Sequence, residues 1–223
     1  MIAFELAQSG RNHRYLKSLC KVAVIMKTQI VLASASKYRA ASLQRLGLKF
    51  TQHAAALDET PRPSEAAAEL ASRLAHEKAQ SLVTAYPNSI IIGCDQTGSC
   101  NDQLLHKPGN LQAAREQLTQ MSAQEAVFYT AMTVIVTENA KVKDITHDVD
   151  ITRLKLRPLS GTEIANYVAA ERPVDCAGSF KIESLGIILF SEVQTSDPSA
   201  LEGISLIQLT SRLRHLGVRL GSA

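Results

Sequence analysis

Four polar insertions interrupt otherwise apolar ground in this chain, and their residue types set the chemistry open to it. The first, "SASKYR" at 34–39, places Ser34, Ser36, Lys37 and Arg39 between an apolar run and a helix-like pattern. The second is "LDETP" at 57–61, which contains Glu59. In the third, "GCDQTG", Asp95 and Gln96 come directly after the β-branched run "SIIIG". The fourth, "HKPG", puts Lys107 before a rigid Pro-Gly turn.

A strand-to-helix junction favours anions, because the first N–H groups of a helix lack intrahelical partners and the helix dipole places partial positive charge there. At 34–39 serine hydroxyls and two basic side chains add to this, although a plain serine N-cap with solvated charges would look the same. A carboxylate where a buried strand ends suits a metal ligand or a general base, since strand ends in α/β sheets open into the ligand crevice. Taken singly, Asp95 also reads as a turn former, and Lys78 and Lys107 as solvated charges. Together, carboxylates with several cations are what cleavage of a phosphoanhydride needs: the cations neutralise phosphate oxygens while the carboxylates hold a divalent ion and orient water. No P-loop, no dinucleotide-binding glycine motif and no G-x-S-x-G elbow occurs, and the histidines lack H-E-x-x-H spacing.

These residues must be positioned by alternating strands and helices. Residues 30–33 and 89–93 read as buried strands and 38–48 as a helix stopped by Gly47. An alanine-rich stretch at 66–84 and residues 111–121 read as helices. "VFYTAMTVIV" and "THDVDITRLKL" read as strands joined by a polar loop at 139–144. Ser160 with Glu163 three residues on predicts a capping box for a helix over 161–170, and 201–217 reads as a final amphipathic helix. The pattern predicts an α/β fold with a mixed central sheet flanked by helices.

A chain of 223 residues with 45% hydrophobic and 20% charged residues is long and apolar enough for a substantial core. A net charge of +3 gives no case for binding a nucleic acid polymer. Residues 1–26 differ in composition from the rest. Their apolar patch, 22–26, is too short to span a bilayer, so they read as a disordered or loosely docked extension, or as sequence upstream of a start at Met26. Residues 27–223 then form a single domain. Cys20, Cys94, Cys100 and Cys176 form no C-x-x-C pair and read as reduced thiols of a cytoplasmic protein.

"LASASKYRAASLQRLG", "LDE", "LAHEKA", "GCDQT", "HKPG" and "DCAGSFKIESLG" occur in the order and approximate spacing of the Maf family of nucleotide pyrophosphatases. The chain resembles that family over residues 26–216 and is most similar to its YceF-type subgroup, whose members hydrolyse 7-methyl-GTP to the monophosphate and pyrophosphate. The resemblance implies a nucleotide-binding cleft between two lobes. It implies that Ser34, Ser36, Arg39, Lys78 and Lys107 face the phosphates, that Asp95 and Lys78 are catalytic, and that Glu59 and Asp95 hold Mg²⁺ or Mn²⁺. Tyr38, Gln96 and Glu183 fall on the positions that distinguish subgroups. Two positions depart from the family pattern: Lys37 stands where a proline is typical, and Ala40 where a second arginine often follows the first.

The expected activity is therefore pyrophosphate release from a nucleoside triphosphate, as housecleaning of modified nucleotides. A methyl group at N7 gives guanine a positive charge, which Glu183 can offset while accepting from the N1–H and amino edge; Tyr38 can flank the cationic ring. The competing readings are the dTTP/UTP pyrophosphatases of the other Maf subgroup and a non-catalytic nucleotide-binding regulator of cell division. Whether the chain works as a homodimer is not legible in the sequence.

Overall fold

The computed structural model describes residues 28–221, so the extension read at 1–26 and Cys20 lie outside them. Seven strands among the described residues form one sheet. In chain order these are β1 (Gln29–Ala33), β2 (Thr51–Gln52), β3 (Ser89–Cys100), β4 (Gln103–Leu105), β5 (Glu125–Glu138), β6 (Lys141–Leu156) and β7 (Phe190–Gln194). Their order across the sheet is β2-β1-β3-β5-β6-β7, with β4 also paired to β3. β1 runs parallel to β2 and β3, whereas the remaining pairings are antiparallel. The mixed α/β sheet predicted from the alternating pattern is thus present. Five helices among the described residues flank it: α1 (Lys37–Gln44), α2 (Ala67–Gln80), α3 (Leu111–Met121), α4 (Gly161–Glu171) and α5 (Leu206–His215).

The long strand β3 creates the site. Along one edge β1 pairs with it only as far as Gly93, and β4 takes up that edge again at Gly98. Between them, residues 94–97 keep their ladder to β5 on the other edge alone. One apolar core gathers β1, α1, α5 and the first half of β3 around Leu32, Leu43 and Ile92. Another gathers α3, α4 and the far halves of β3, β5 and β6 around Phe128, Tyr167 and Phe180. The gap in the β3 edge lies where these two lobes meet.

Several boundaries differ from the sequence reading. β3 does not end at Gly93: Asp95 lies inside it, because β5 continues the ladder while the polar side chains open into the gap. The polar loop expected at 139–144 is a two-residue turn. Asn139 and Ala140 both have positive φ, at 53° and 59°, which matches the right-handed twist of a hairpin, and Lys141 already pairs with Glu138. α1 stops at Gln44 and α2 at Gln80, each earlier than predicted. α5 begins only at Leu206, since residues 198–202 form a separate 3-10 turn closed by Gly203. The capping box at Ser160 forms as read, with Ser160 N–H donating to Glu163 at 2.8 Å and Glu163 N–H to Ser160 Oγ at 3.2 Å. No helix among the described residues is long and apolar enough to cross a membrane.

α2 can lie close on the sheet because its inner face carries Ala71, Ala75 and Ala79 and because β3 offers Gly93 beneath it. A Cβ added at Gly93 would come within 2.2 Å of Ala75 O and 2.8 Å of Ala79 N. Gly93→Ala must therefore lift a helix rather than turn a side chain aside. The expected destabilisation is about 1–3 kcal/mol, or a fall in melting temperature of roughly 2–12 °C for a domain of this size. A variant that melts with the wild type would show that α2 does not depend on this contact.

Candidate active site

The junction after β1 is a serine N-cap and also the wall of a cleft. Ser36 caps α1, its Oγ accepting from Arg39 N–H at 3.4 Å. The buried Ser34 Oγ accepts from Ser36 N–H and from Arg39 Nη1, each at 3.1 Å. Arg39 Nε donates to Gly203 O at 3.0 Å, so the guanidinium is held from two sides with Nη2 left 4.0 Å from Asp95.

The centre of the cleft is a buried charge cluster. α2 delivers Lys78, which is 5% exposed, across Gly93 to Asp95, itself 6% exposed, with Nζ 2.6 Å from Oδ1. The same ammonium lies 2.9 Å from Glu59 Oε1. Lys78 is therefore no solvated surface charge, and the two carboxylates converge on one point. Thr97 donates to the other oxygen of Asp95 at 3.4 Å. Burial opposes ionisation of Glu59, but the hydrogen bond and charge of Lys78, with Lys107 and Arg39 behind it, hold its carboxyl below the usual range.

The outer rim has a different character. Tyr38 OH donates to Asp175 Oδ2 at 3.3 Å, and Lys37 pairs with the same oxygen at 3.4 Å. Lys37 also sits 4.9 Å from the centre of the Tyr38 ring, occupying one of its faces. Lys37 thus turns to Asp175 and Tyr38. Burial, then the neighbouring Cys176, Asp175 and Glu183, push the Tyr38 hydroxyl upward, so it remains a donor at neutral pH. Burial and Asp175 push the Cys176 thiol to about 11, which keeps it protonated and poorly nucleophilic. Gln96 spends its amide group on Ala200 O at 2.8 Å and Thr130 Oγ1 at 3.0 Å, leaving its carbonyl oxygen as the group offered to a ligand.

Residues 29–216 match the family described as Maf-like protein. The chain belongs to the Maf family. It is 43% identical over 192 residues, 86% of this chain and 98% of the relative, to a protein of Xanthomonas axonopodis pv. citri (strain 306) named 7-methyl-GTP pyrophosphatase. A protein of the same name from Chromohalobacter salexigens is 44% identical over 193 residues, covering 86% of this chain and 97% of its own. Among solved structures, a HAM1 protein from Coxiella burnetii aligns with 84% of this chain and 99% of its own at 16% identity, with a TM-score of 0.48.

In this Maf chain one cavity of about 600 Å³ is lined by every site residue predicted from sequence: Ser34, Ser36, Tyr38, Arg39, Glu59, Lys78, Asp95, Gln96, Lys107 and Glu183. Of the lining cations Lys37, Arg39, Lys78 and Lys107, the first three have carboxylate neighbours within 4.0 Å. Lys107 alone among them makes no ion pair within the described residues. Sequence reasoning gave no role to Asp175, Thr97 or Gly203. Asp175 and Thr97 lie inside motifs already singled out, whereas nothing in the sequence points to the Gly203 carbonyl.

Proposed function

We propose that this chain is a nucleoside triphosphate pyrophosphatase whose preferred substrate is 7-methyl-GTP. The observation that carries the reading is the contrast between the two ends of the cleft. Inside, a buried ammonium bridges two carboxylates beside Arg39, with the uncommitted Lys107 also lining the cavity. At the rim, the groups offered to a base are acceptors: Glu183, Asp175 and the carbonyl oxygen of Gln96. Lys37 pairs with Asp175 and balances that carboxylate, which leaves the charge of Glu183 at the rim. An N7-methylated guanine, cationic and donating from N1–H and its amino group, complements such a rim; a neutral pyrimidine does so less well. The names carried by the relatives point the same way.

In the reaction, water attacks the α-phosphorus and passes its proton to Asp95, which Lys78 and Thr97 hold from either side. The bond from the α-phosphorus to the bridging oxygen breaks, and pyrophosphate leaves with its charge against Arg39 and Lys107. Glu59 and Asp95, both turned to Lys78 here, would be the residues to hold Mg²⁺ or Mn²⁺, because hard divalent ions in nucleotide sites are held by one or two carboxylates together with phosphate oxygens and water. When bound, such an ion would supply further neutralisation of phosphate charge. A cytoplasmic location suits this activity, since nucleotide pools are found there.

Pyrophosphate release across canonical and methylated nucleotides tests the reading, with 7-methyl-GTP expected to be turned over best. Faster release from dTTP or UTP would replace the substrate, and binding without turnover would make the chain a nucleotide-binding regulator instead. Glu183→Gln keeps the reach of the side chain but removes its charge and turns an amino donor toward a donating base edge. Loss of a charge-assisted hydrogen bond costs about 1.5–3 kcal/mol, so kcat/KM for 7-methyl-GTP should fall roughly ten- to a hundredfold while dTTP and UTP change little or improve. An equal loss on all nucleotides would assign Glu183 to the phosphates or the metal.

A further inference from the structure

The segment 195–205 fills the space between β7 and α5 and touches the cleft with its backbone. Ala200 O accepts from Gln96 Nε2 at 2.8 Å and from Thr130 Oγ1 at 2.9 Å. Gly203 O accepts from Arg39 Nε at 3.0 Å. These two carbonyls, three residues apart, hold the residue that faces the phosphates and a residue that faces the base.

The segment is itself anchored by carboxylates that make no ion pair within the described residues. Asp197, 2% exposed, accepts from Ser199 N–H at 2.9 Å, and on its other oxygen from Ser205 Oγ and Ile207 N–H, each at 2.7 Å. The last of these bonds ties it to the start of α5, where a negative charge is favoured by the helix dipole. Asp150, also 2% exposed, accepts from Ser196 Oγ and from Thr195 Oγ1. Asp150 pairs in register with Thr130 and Thr130 with Gln96, so a polar row crosses β6, β5 and β3 beneath the segment and ends in the cleft.

We propose that segment 195–205 is a buttress that presets Arg39 and Gln96 through its own carbonyls, with Gly203 the positioning residue for Arg39. The inference rests on the phosphate-facing role of Arg39 given above. Gly203 has φ +94°, and a Cβ there would stand 3.0 Å from Arg39 Nε and 3.4 Å from its Cγ. Glycine thus allows both the left-handed turn and the close approach of the guanidinium. An arginine held before the substrate arrives loses less side-chain freedom on binding, which leaves more of each phosphate contact available as affinity and rate.

A double-mutant cycle on pyrophosphate release tests this. Gly203→Ala should lower kcat/KM roughly ten- to a hundredfold, the range for a reacting group displaced by about an ångström. Because the loss acts through Arg39, Arg39→Ala and the double variant should agree within about twofold. If the double variant instead falls by the product of the single losses while Arg39→Ala alone is slow, the buttress is overturned and the phosphate reading stands. If Arg39→Ala turns over like the wild type, both fall, since nothing remains for Gly203 to position. Should Gly203→Ala fail to fold, Ser205→Ala, which removes a bond to Asp197 and so loosens the segment, takes its place: its loss should vanish in an Arg39→Ala, Gln96→Ala background, and a loss that persists there overturns the proposal.

Discussion

Asp95→Asn is expected to abolish most turnover while leaving the fold in place. The substitution keeps the shape of the side chain and an oxygen that can accept from Lys78, now at 2.6 Å, but removes the negative charge and the capacity to take a proton from water. Lys78 retains Glu59 at 2.9 Å, so no buried cation is left without a partner. Loss of a general base costs roughly two to four orders of magnitude in rate, and pyrophosphate release from 7-methyl-GTP should fall by that much. Circular dichroism and a thermal melt establish that the variant is folded. A folded Asp95→Asn protein with near wild-type turnover would remove Asp95 from the chemistry and return it to the role of an ion-pair partner for Lys78.

The candidate site was legible in the sequence because its residues sit in short local motifs that the fold brings to one cavity. "SASKYR" became the cap and first turn of α1, and "GCDQT" the stretch of β3 left unpaired on one edge. Local spacing could not give burial. Lys78 looks like a surface charge on an alanine-rich helix until Gly93 is seen to let that helix down onto β3, which carries the ammonium inward to Asp95. Asp95 looked like a residue just past a strand because the apolar run ends at Gly93, whereas β3 continues for as long as β5 pairs with it.

What escaped the sequence reading is what depends on backbone. Carbonyl groups at Ala200 and Gly203 have no side-chain signature, and the sequence reading places Gly203 inside the final amphipathic helix at 201–217. Their partners, Gln96 and Arg39, lie more than a hundred residues earlier, so no window of sequence joins them. The same limit applies to Lys37. Its charge beside two serines suggests a phosphate contact, and only the fold brings Asp175 to it.

Lys78→Met is expected to have the largest effect on stability. The side chain is 5% exposed and its ammonium bridges Asp95 and Glu59, so the substitution leaves Asp95 as a buried carboxylate with only Thr97 within 3.4 Å and the Arg39 guanidinium at 4.0 Å. Breaking a buried ion pair from one side costs about 3–5 kcal/mol, which in a domain of this size corresponds to a fall of roughly 6–20 °C in melting temperature. The half-exposed Glu59 contributes less, because water can replace the lost ammonium there. If the cost comes from the uncompensated charge rather than from lost packing, Asp95→Asn added to Lys78→Met should restore much of the melting temperature while restoring no turnover. Stability would then recover without activity, which a purely structural role for Asp95 does not allow. A Lys78→Met variant that melts with the wild type, or a double variant no more stable than Lys78→Met alone, would show that the ammonium does not compensate Asp95 and that the charge cluster at the centre of the cleft is not the element that α2 was brought close to supply.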